Sequence, residues 1–139
     1  MNEYEIREIE EAISAADDTL GHLYKAKEYL DSAGAWGILD IFGGGLFSGI
    51  IKHSKMSNAE QQIEAARNSL RRFSKELRDV TGYSSIHISE FLTFADFFFD
   101  GVIADVLVQS KIKEARNQCD DAIRQVSVIK NELETRLYN

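Results

Sequence analysis

The sequence predicts an all-α protein, and three observations lead to that prediction. The 139 residues include no proline, although strand-rich folds recruit proline into their many turns. Three segments carry apolar residues spaced three or four positions apart, which is the spacing of one helix face. Hydrophobic residues make up 44% of the chain, enough for the core of one domain. We therefore expect a single domain over 1–139, a four-helix-bundle-like array of three long helices and two short apolar helical hairpins.

The first predicted helix runs from about Asn2 to Ser32. One apolar stripe follows it at helical spacing, and Gly34 is a suitable stop because glycine often ends a helix. The stripe contains Ile6, Ile9, Ile13, Ala16, Leu20, Leu23, Ala26 and Leu30.

The second predicted helix begins after Met56. Ser57 followed by Glu60 forms a capping-box pattern, which is typical of a helix N-terminus. Thr81 and Gly82 end the helix. Its stripe contains Ala59, Ile63, Ala66, Leu70, Phe73, Leu77 and Val80.

The third predicted helix extends from about Lys111 to Leu137. Cys119 occupies a stripe position, which favours a small buried apolar residue over a reactive nucleophile. The stripe contains Ala115, Cys119, Ala122, Val126, Ile129 and Leu133.

Two apolar segments, 35–51 and 90–108, connect the long helices, and glycine interrupts each of them. We expect both to form short helical hairpins that cover the open side of the three long helices. The second segment contains five phenylalanines on more than one helix face, so some of them are available for an interface with a second copy. These are Phe91, Phe94, Phe97, Phe98 and Phe99.

The two halves of the chain share a pattern when they are aligned with an offset of 56 residues. Asp40 then matches Asp96, Gly45 matches Gly101, and the apolar stripes coincide. We interpret this as an internal repeat over about 40–81 and 96–137. The repeat also predicts a layer of small residues from Ala16, Ala66 and Ala122.

The charge of the chain bears on its partners. The net charge is −7 and the pI is near 5.0, so the phosphate backbone of nucleic acid is repelled and nucleic acid is not expected as a partner. Acidic residues are concentrated in the first helix and basic residues in the second. Antiparallel packing would set these two surfaces side by side, although a solvated face is the better explanation of either charge run.

The stretch "DIFGGGLFSGIIKHSK" at 40–55 is the strongest candidate for a functional site. It fails the P-loop pattern because Ile50, not lysine, follows Gly49, and it fails the dinucleotide pattern G-x-G-x-x-G. Three alternatives remain: a bend between packed helices, a membrane-inserting hairpin at 35–51, or a ligand pocket. The candidate ligand-binding residues are Trp36, Asp40, Gly43, Gly44, Gly45, Lys52 and His53.

The residue spacing gives little support for metal binding or catalysis. The three histidines and the single cysteine lack the pairings that metal sites use, and we expect no cofactor and no metal. Asp40 and Asp96 are better explained as helix N-caps than as cation ligands. Nothing in the sequence argues for catalysis.

One stretch of the chain also resembles other proteins. Trp36, Asp40, the glycine triplet 43–45 and the Lys52–His53 pair occur in an order that resembles a set of uncharacterised bacterial helical proteins. The resemblance covers about 33–80 and includes "FSKELRDV". It implies a bacterial cytoplasmic protein and implies no activity.

The function expected from these observations is that of a non-catalytic helical interaction or scaffold module. Its partner would be another protein or a second copy of the chain. The alternatives are a membrane-surface protein that inserts the 35–51 hairpin, and a ligand-binding or enzymatic bundle with a pocket near Trp36, Asp40 and His53. A lone cysteine and an acidic N-terminal stretch favour the cytoplasm.

Overall fold

The structure, a computed structural model, describes residues 2–43, 46–80, 86–100 and 109–138, with the side chains of 2–32, 58, 61–80, 88–96 and 113–138. All regular secondary structure in those backbone ranges is α-helix. The four helices are α1 (Glu3–Gly43), α2 (Leu46–Asp79), α3 (Ile86–Asp100) and α4 (Gln109–Tyr138). The predicted all-α class is confirmed.

Helix α1 is longer than the sequence pattern predicted. Asn2 caps its N-terminus, since the Asn2 Oδ1 accepts a hydrogen bond of 2.8 Å from the backbone N–H of Glu5. The predicted stop at Gly34 is wrong, because α1 continues to Gly43. A glycine inside a helix costs about 1 kcal/mol but does not end it, and the apolar residues that follow Gly34 are compatible with helix.

Helix α2 begins at Leu46, and the predicted start after Met56 is therefore wrong. Ser57 and Glu60 lie inside the helix, so they form no capping box. The segment 35–51 is accordingly not a separate hairpin over the side of the array. Its described residues, 35–43 and 46–51, are the adjoining ends of α1 and α2.

The predictions for the second half are closer to the structure. Helix α4 spans Gln109–Tyr138, against the predicted 111–137. The segment 90–108 was expected to form a hairpin of its own. Its first part belongs to the 15-residue helix α3, and 101–108 lie outside the described residues.

Three ion pairs define how α1 and α4 lie against each other. Asp17 pairs with Lys130 at 2.5 Å, Lys27 with Asp120 at 2.7 Å, and Asp31 with Arg116 at 3.3 Å, each distance joining carboxylate oxygen and side-chain nitrogen. Each step forward along α1 is matched by an equal step backward along α4. The two helices are therefore antiparallel in one constant register, which we call the α1–α4 seam.

The contact between α1 and α2 is also antiparallel. Arg72 Nη1 donates to Asp18 Oδ2 at 2.9 Å, and the His22 ring contacts Gln62 Oε1 at 3.0 Å. Asp18 and Arg72 form an ion pair across this contact, and their side chains are still 54% and 50% exposed, as expected of a solvated face. Charge also ties α1 to α4, which the composition of the helices did not predict.

The buried core consists of the three predicted stripes together with residues from α3. The described stripe positions of α2 and α4 are all buried, from Ile63 to Val80 and from Ala115 to Leu133. In α1, Ile13 and Leu20 are only partly buried. A second set of positions, Ala12, Ala15 and Thr19, is fully buried instead. Within the described residues α1 contacts both α2 and α4, so it buries a wider face than one stripe.

The predicted layer of three alanines is not formed. Ala16, Ala66 and Ala122 are each fully buried. The Lys27–Asp120 pair, however, places Ala122 at the level of Lys25 on α1, which is nine residues beyond Ala16. At 1.5 Å per residue this separation is about 13 Å. In the register that the ion pairs show, Ala16 and Ala122 are therefore too far apart along the helices to be in contact.

Helix α3 packs against α2 through aromatic rings. The centroids of Phe73 and Phe91 lie 5.2 Å apart with the rings tilted by 60°, and those of Phe91 and Phe94 lie 6.3 Å apart. Ile88, Phe91 and Ala95 of α3 are buried. Within the described residues α3 contacts α2 and α4, so it occupies the side of the array opposite α1.

Candidate functional site

The predicted ligand-binding residues lie at the turn between the two longest helices. Trp36, Asp40 and Gly43 belong to the last turns of α1, and Lys52 and His53 to the first turns of α2. Trp36 precedes Gly43 by as many residues as His53 follows Leu46, so a helical hairpin brings these two positions to the same level. Gly44 and Gly45 lie outside the described residues.

The expected N-cap role of the two matching aspartates is wrong. Asp40 lies inside α1 and Asp96 inside α3, each close to the C-terminal end of its helix. A carboxylate at that end faces the negative pole of the helix dipole and finds no free N–H groups to accept from. Asp96 is exposed to solvent.

The directions of the helices bring the described parts of both apolar segments towards one end of the molecule. Helix α1 is antiparallel to α4 and to α2. Phe73 lies six residues before the end of α2 and Phe91 five residues after the start of α3, so these two helices are antiparallel as well. The end of α1, the start of α2, the end of α3 and the start of α4 therefore share one end. We call the described residues at these helix ends, 33–43, 46–57, 97–100 and 109–113, the apolar end.

Cys119 has no features of a nucleophile. Its side chain is fully buried on the inner face of α4. Burial, with a smaller contribution from the neighbouring Asp120 carboxylate, raises the pKa of the thiol to about 12. The thiol is therefore protonated at neutral pH, in agreement with the prediction of a structural residue.

Three other groups among the described side chains have structural partners. The His22 ring contacts Gln62, and Thr19 Oγ1 donates to the Ala15 carbonyl oxygen at 2.8 Å. Hydrogen bonding to Asp17 is the main cause that raises the pKa of the Lys130 ammonium. Among the residues whose side chains are described, no group of three or more His, Cys, Asp or Glu is placed to hold a metal ion.

A polar cleft that the sequence analysis missed lies at the opposite end of the molecule. It has a volume of about 480 Å³ and is formed by the start of α1 and the end of α2. Glu8 is 7% exposed although it carries a carboxylate. Glu8, Ala12, Ala15 and Thr19 follow helical spacing beside the apolar stripe, and this second face is the signal that could have indicated the cleft. The lining residues are Tyr4, Arg7, Glu8, Glu11, Glu76 and Asp79.

Comparison with known proteins adds no family. No protein-family model, no curated protein and no solved structure matches the chain. Within the described residues, no helix combines the length and the hydropathy that crossing a bilayer requires. Any function must therefore be inferred from the geometry of this chain alone.

Proposed function

We propose that the protein is a non-catalytic helical binding module whose binding surface is the apolar end. The observation that supports this proposal is the helix order. Alternating directions bring the end of α1, the start of α2, the end of α3 and the start of α4 to the same end of the array. A hairpin lying over the side would seal the core. We expect a hairpin at the end, in contrast, to leave apolar residues available to a partner.

The described chemistry supports a binding role. The thiol of Cys119 is buried and protonated, and the His22 ring is held by Gln62. Several charged side chains of α1 are engaged in ion pairs that hold the helices in register. These groups stabilise the array, and the candidate surface lies away from them. A single cysteine without an internal partner fits a cytoplasmic location, which is part of this proposal.

We further propose that the array is a four-helix bundle with an internal repeat over about 40–81 and 96–137, in which α2 corresponds to α4. Five pairs of buried residues support this interpretation, because each pair is separated by the same 56 positions. They are Ile63 and Cys119, Ala66 and Ala122, Leu70 and Val126, Phe73 and Ile129, and Leu77 and Leu133. Such a repeat places the adjoining ends of α1 and α2 and those of α3 and α4 in equivalent positions at the binding end.

The binding surface can be tested with an apolar probe. We define the tip of α1–α2 as residues 36–43 of α1 and 46–53 of α2, and ask whether the probe binds there. The full chain should enhance the fluorescence of anilinonaphthalene sulfonate. A Phe42→Ser/Phe47→Ser double variant should lose most of that enhancement. Both residues belong to the tip, one near the end of α1 and one near the start of α2.

The matched control removes two exposed apolar side chains elsewhere. Tyr24 is 56% exposed and Val128 is 43% exposed. A Tyr24→Ser/Val128→Ser variant should therefore retain the dye signal. Circular dichroism must show wild-type helicity and melting temperature for both variants. Absence of dye binding to the wild-type chain, or equal signals from the two variants, overturns the proposal.

A further inference from the structure

We propose that the partner of the apolar end is an anionic lipid surface, recognised by a collar of four lysines at one level of the helix array. The collar consists of Lys52 and Lys55 of α2 and Lys111 and Lys113 of α4. This inference rests on the proposed function, because it names the partner of the same surface.

The register of the α1–α4 seam gives the position of the two α4 lysines along the axis of α1, which we call their level. Asp31 pairs with Arg116, and the register along this seam is constant. Lys113 precedes Arg116 by three residues and is therefore level with Gly34. Lys111 precedes it by five residues and is level with Trp36.

The turn between α1 and α2 sets the level of the two α2 lysines independently. Lys52 follows Leu46 by six residues, as Gly37 precedes Gly43 by six. Lys55 follows Leu46 by nine residues and is level with Gly34. All four lysines thus fall beside 34–37 of α1, a rise of about 4.5 Å along the helix.

The charge of the molecule is arranged along its length. The described residues of the apolar end contain four lysines and two aspartates, a net charge of +2 in a chain of net charge −7. The opposite end carries the cleft, whose lining has four carboxylates and one cation, Arg7. An anionic surface attracts the lysine collar and repels the opposite end, which orients the molecule with its apolar end towards the lipid.

The depth of the tip suits insertion into the interface of a bilayer. From Trp36 to Gly43 is seven residues, or about 10 Å of helix. Amphipathic segments bury their apolar face about 5–10 Å into the headgroup boundary, with lysines held at headgroup level. Tryptophan prefers the same level, and Trp36 is level with Lys111.

The experiment uses the full chain and its single tryptophan as the probe. Large unilamellar vesicles of phosphatidylglycerol and phosphatidylcholine in equal parts are compared with vesicles of pure phosphatidylcholine. Binding is measured by co-sedimentation and by the emission maximum of Trp36. We expect binding and a blue shift with the anionic vesicles only, and weaker binding at higher salt concentration.

Two variants that each lose four positive charges distinguish the effect of the collar lysines on binding from the effect of the total charge. The collar variant is Lys52→Gln/Lys55→Gln/Lys111→Gln/Lys113→Gln, and its affinity should fall at least tenfold. The control is Lys25→Gln/Lys75→Gln/Arg78→Gln/Arg124→Gln, which removes the same charge from exposed positions outside the collar. The control should bind within about twofold of the wild type, because surface attraction falls off within a Debye length.

Equal losses in the two variants, or no binding to anionic vesicles, overturn the lipid assignment. Sedimentation velocity then identifies the other occupant. Self-association that disappears in the Phe42→Ser/Phe47→Ser variant means that the apolar end binds a second copy, and the proposed function survives without the lipid. The loss of dye binding, in contrast, removes the proposed function itself.

Discussion

Helix α1 and helix α3 are held in the array by different kinds of contact. The α1–α4 seam has three ion pairs on its outside, with side chains that are between 27% and 53% exposed. The α2–α3 contact has Phe73 and Phe91, which are fully buried. Exposed ion pairs contribute about 0–1 kcal/mol each, whereas a buried aromatic side chain contributes several times more. Charge therefore sets the register of the seam, and ring burial sets the strength of the α3 contact.

The largest effect should come from the α2–α3 contact. Phe91→Ala removes a fully buried ring and should lower the free energy of unfolding by about 3–5 kcal/mol, because the ring leaves a cavity. Urea unfolding followed by circular dichroism measures the loss. Phe91→Leu, the matched control, should cost clearly less.

The pairing of the two rings can be isolated by a double-mutant cycle with Phe73→Ala. The coupling should be about 0.5–1.5 kcal/mol beyond the separate losses, since the ring centroids are 5.2 Å apart. Strict additivity would mean that the rings contribute by burial alone.

The second-largest effect should come from Cys119, which is buried on the inner side of the α1–α4 seam. The folded thiol has its pKa raised from 9.0 to about 12, so the unfolded chain ionises first as the pH rises. The contribution of the buried thiol is complete below pH 9 and decreases above it, by up to about 4 kcal/mol at pH 12. Urea unfolding between pH 8 and pH 10 should show a steeper loss of stability for the wild type than for Cys119→Ala.

The reactivity of the same thiol gives an independent measurement. A thiol reagent at pH 8 should modify the native chain slowly and the urea-unfolded chain rapidly. Equal rates in the two states would contradict the burial of Cys119.

A smaller effect of opposite sign is expected on the solvent face of α1. Gly21 lies inside the helix, and a Cβ built on it meets no atom within 4 Å. Gly21→Ala should therefore stabilise the protein by about 0.5–1 kcal/mol, because alanine loses less backbone entropy on folding. Thermal melting measures the gain. A decrease in melting temperature would show that this face of α1 is covered.

The smallest effect should come from a single ion pair of the seam. Asp17→Asn should lower the pKa of Lys130, whose upward shift arises chiefly from the hydrogen bond to Asp17. Stability should fall by less than about 1 kcal/mol. A raised lysine pKa stabilises the fold below the ordinary value near 10.5, and this contribution disappears as the pH rises through the folded pKa. The difference between wild type and Asp17→Asn should therefore vanish in strongly alkaline buffer and in high salt.

The candidate site was only partly predictable. The sequence pattern selected Lys52 and His53 because they follow the glycine triplet, but it left Lys55, Lys111 and Lys113 out of the candidate set. Lysines on α2 and α4 are far apart in the chain, and only the antiparallel registers bring them to one level. The cleft around Glu8 was missed for a similar reason, because it needs the start of α1 and the end of α2 side by side.

The helical class and most of the core follow from the order of residues alone, because apolar spacing selects one helix face whatever the neighbours are. That spacing was enough to predict the burial of Leu70, Cys119 and Val126. The packed array was needed to show that α1 continues past Gly34, and that Ala16 and Ala122 do not meet. Local signals such as a glycine or a capping pattern are worth about 1 kcal/mol. Packing between helices contributes more free energy than these local signals. It therefore determines where the helices end and which residues face each other.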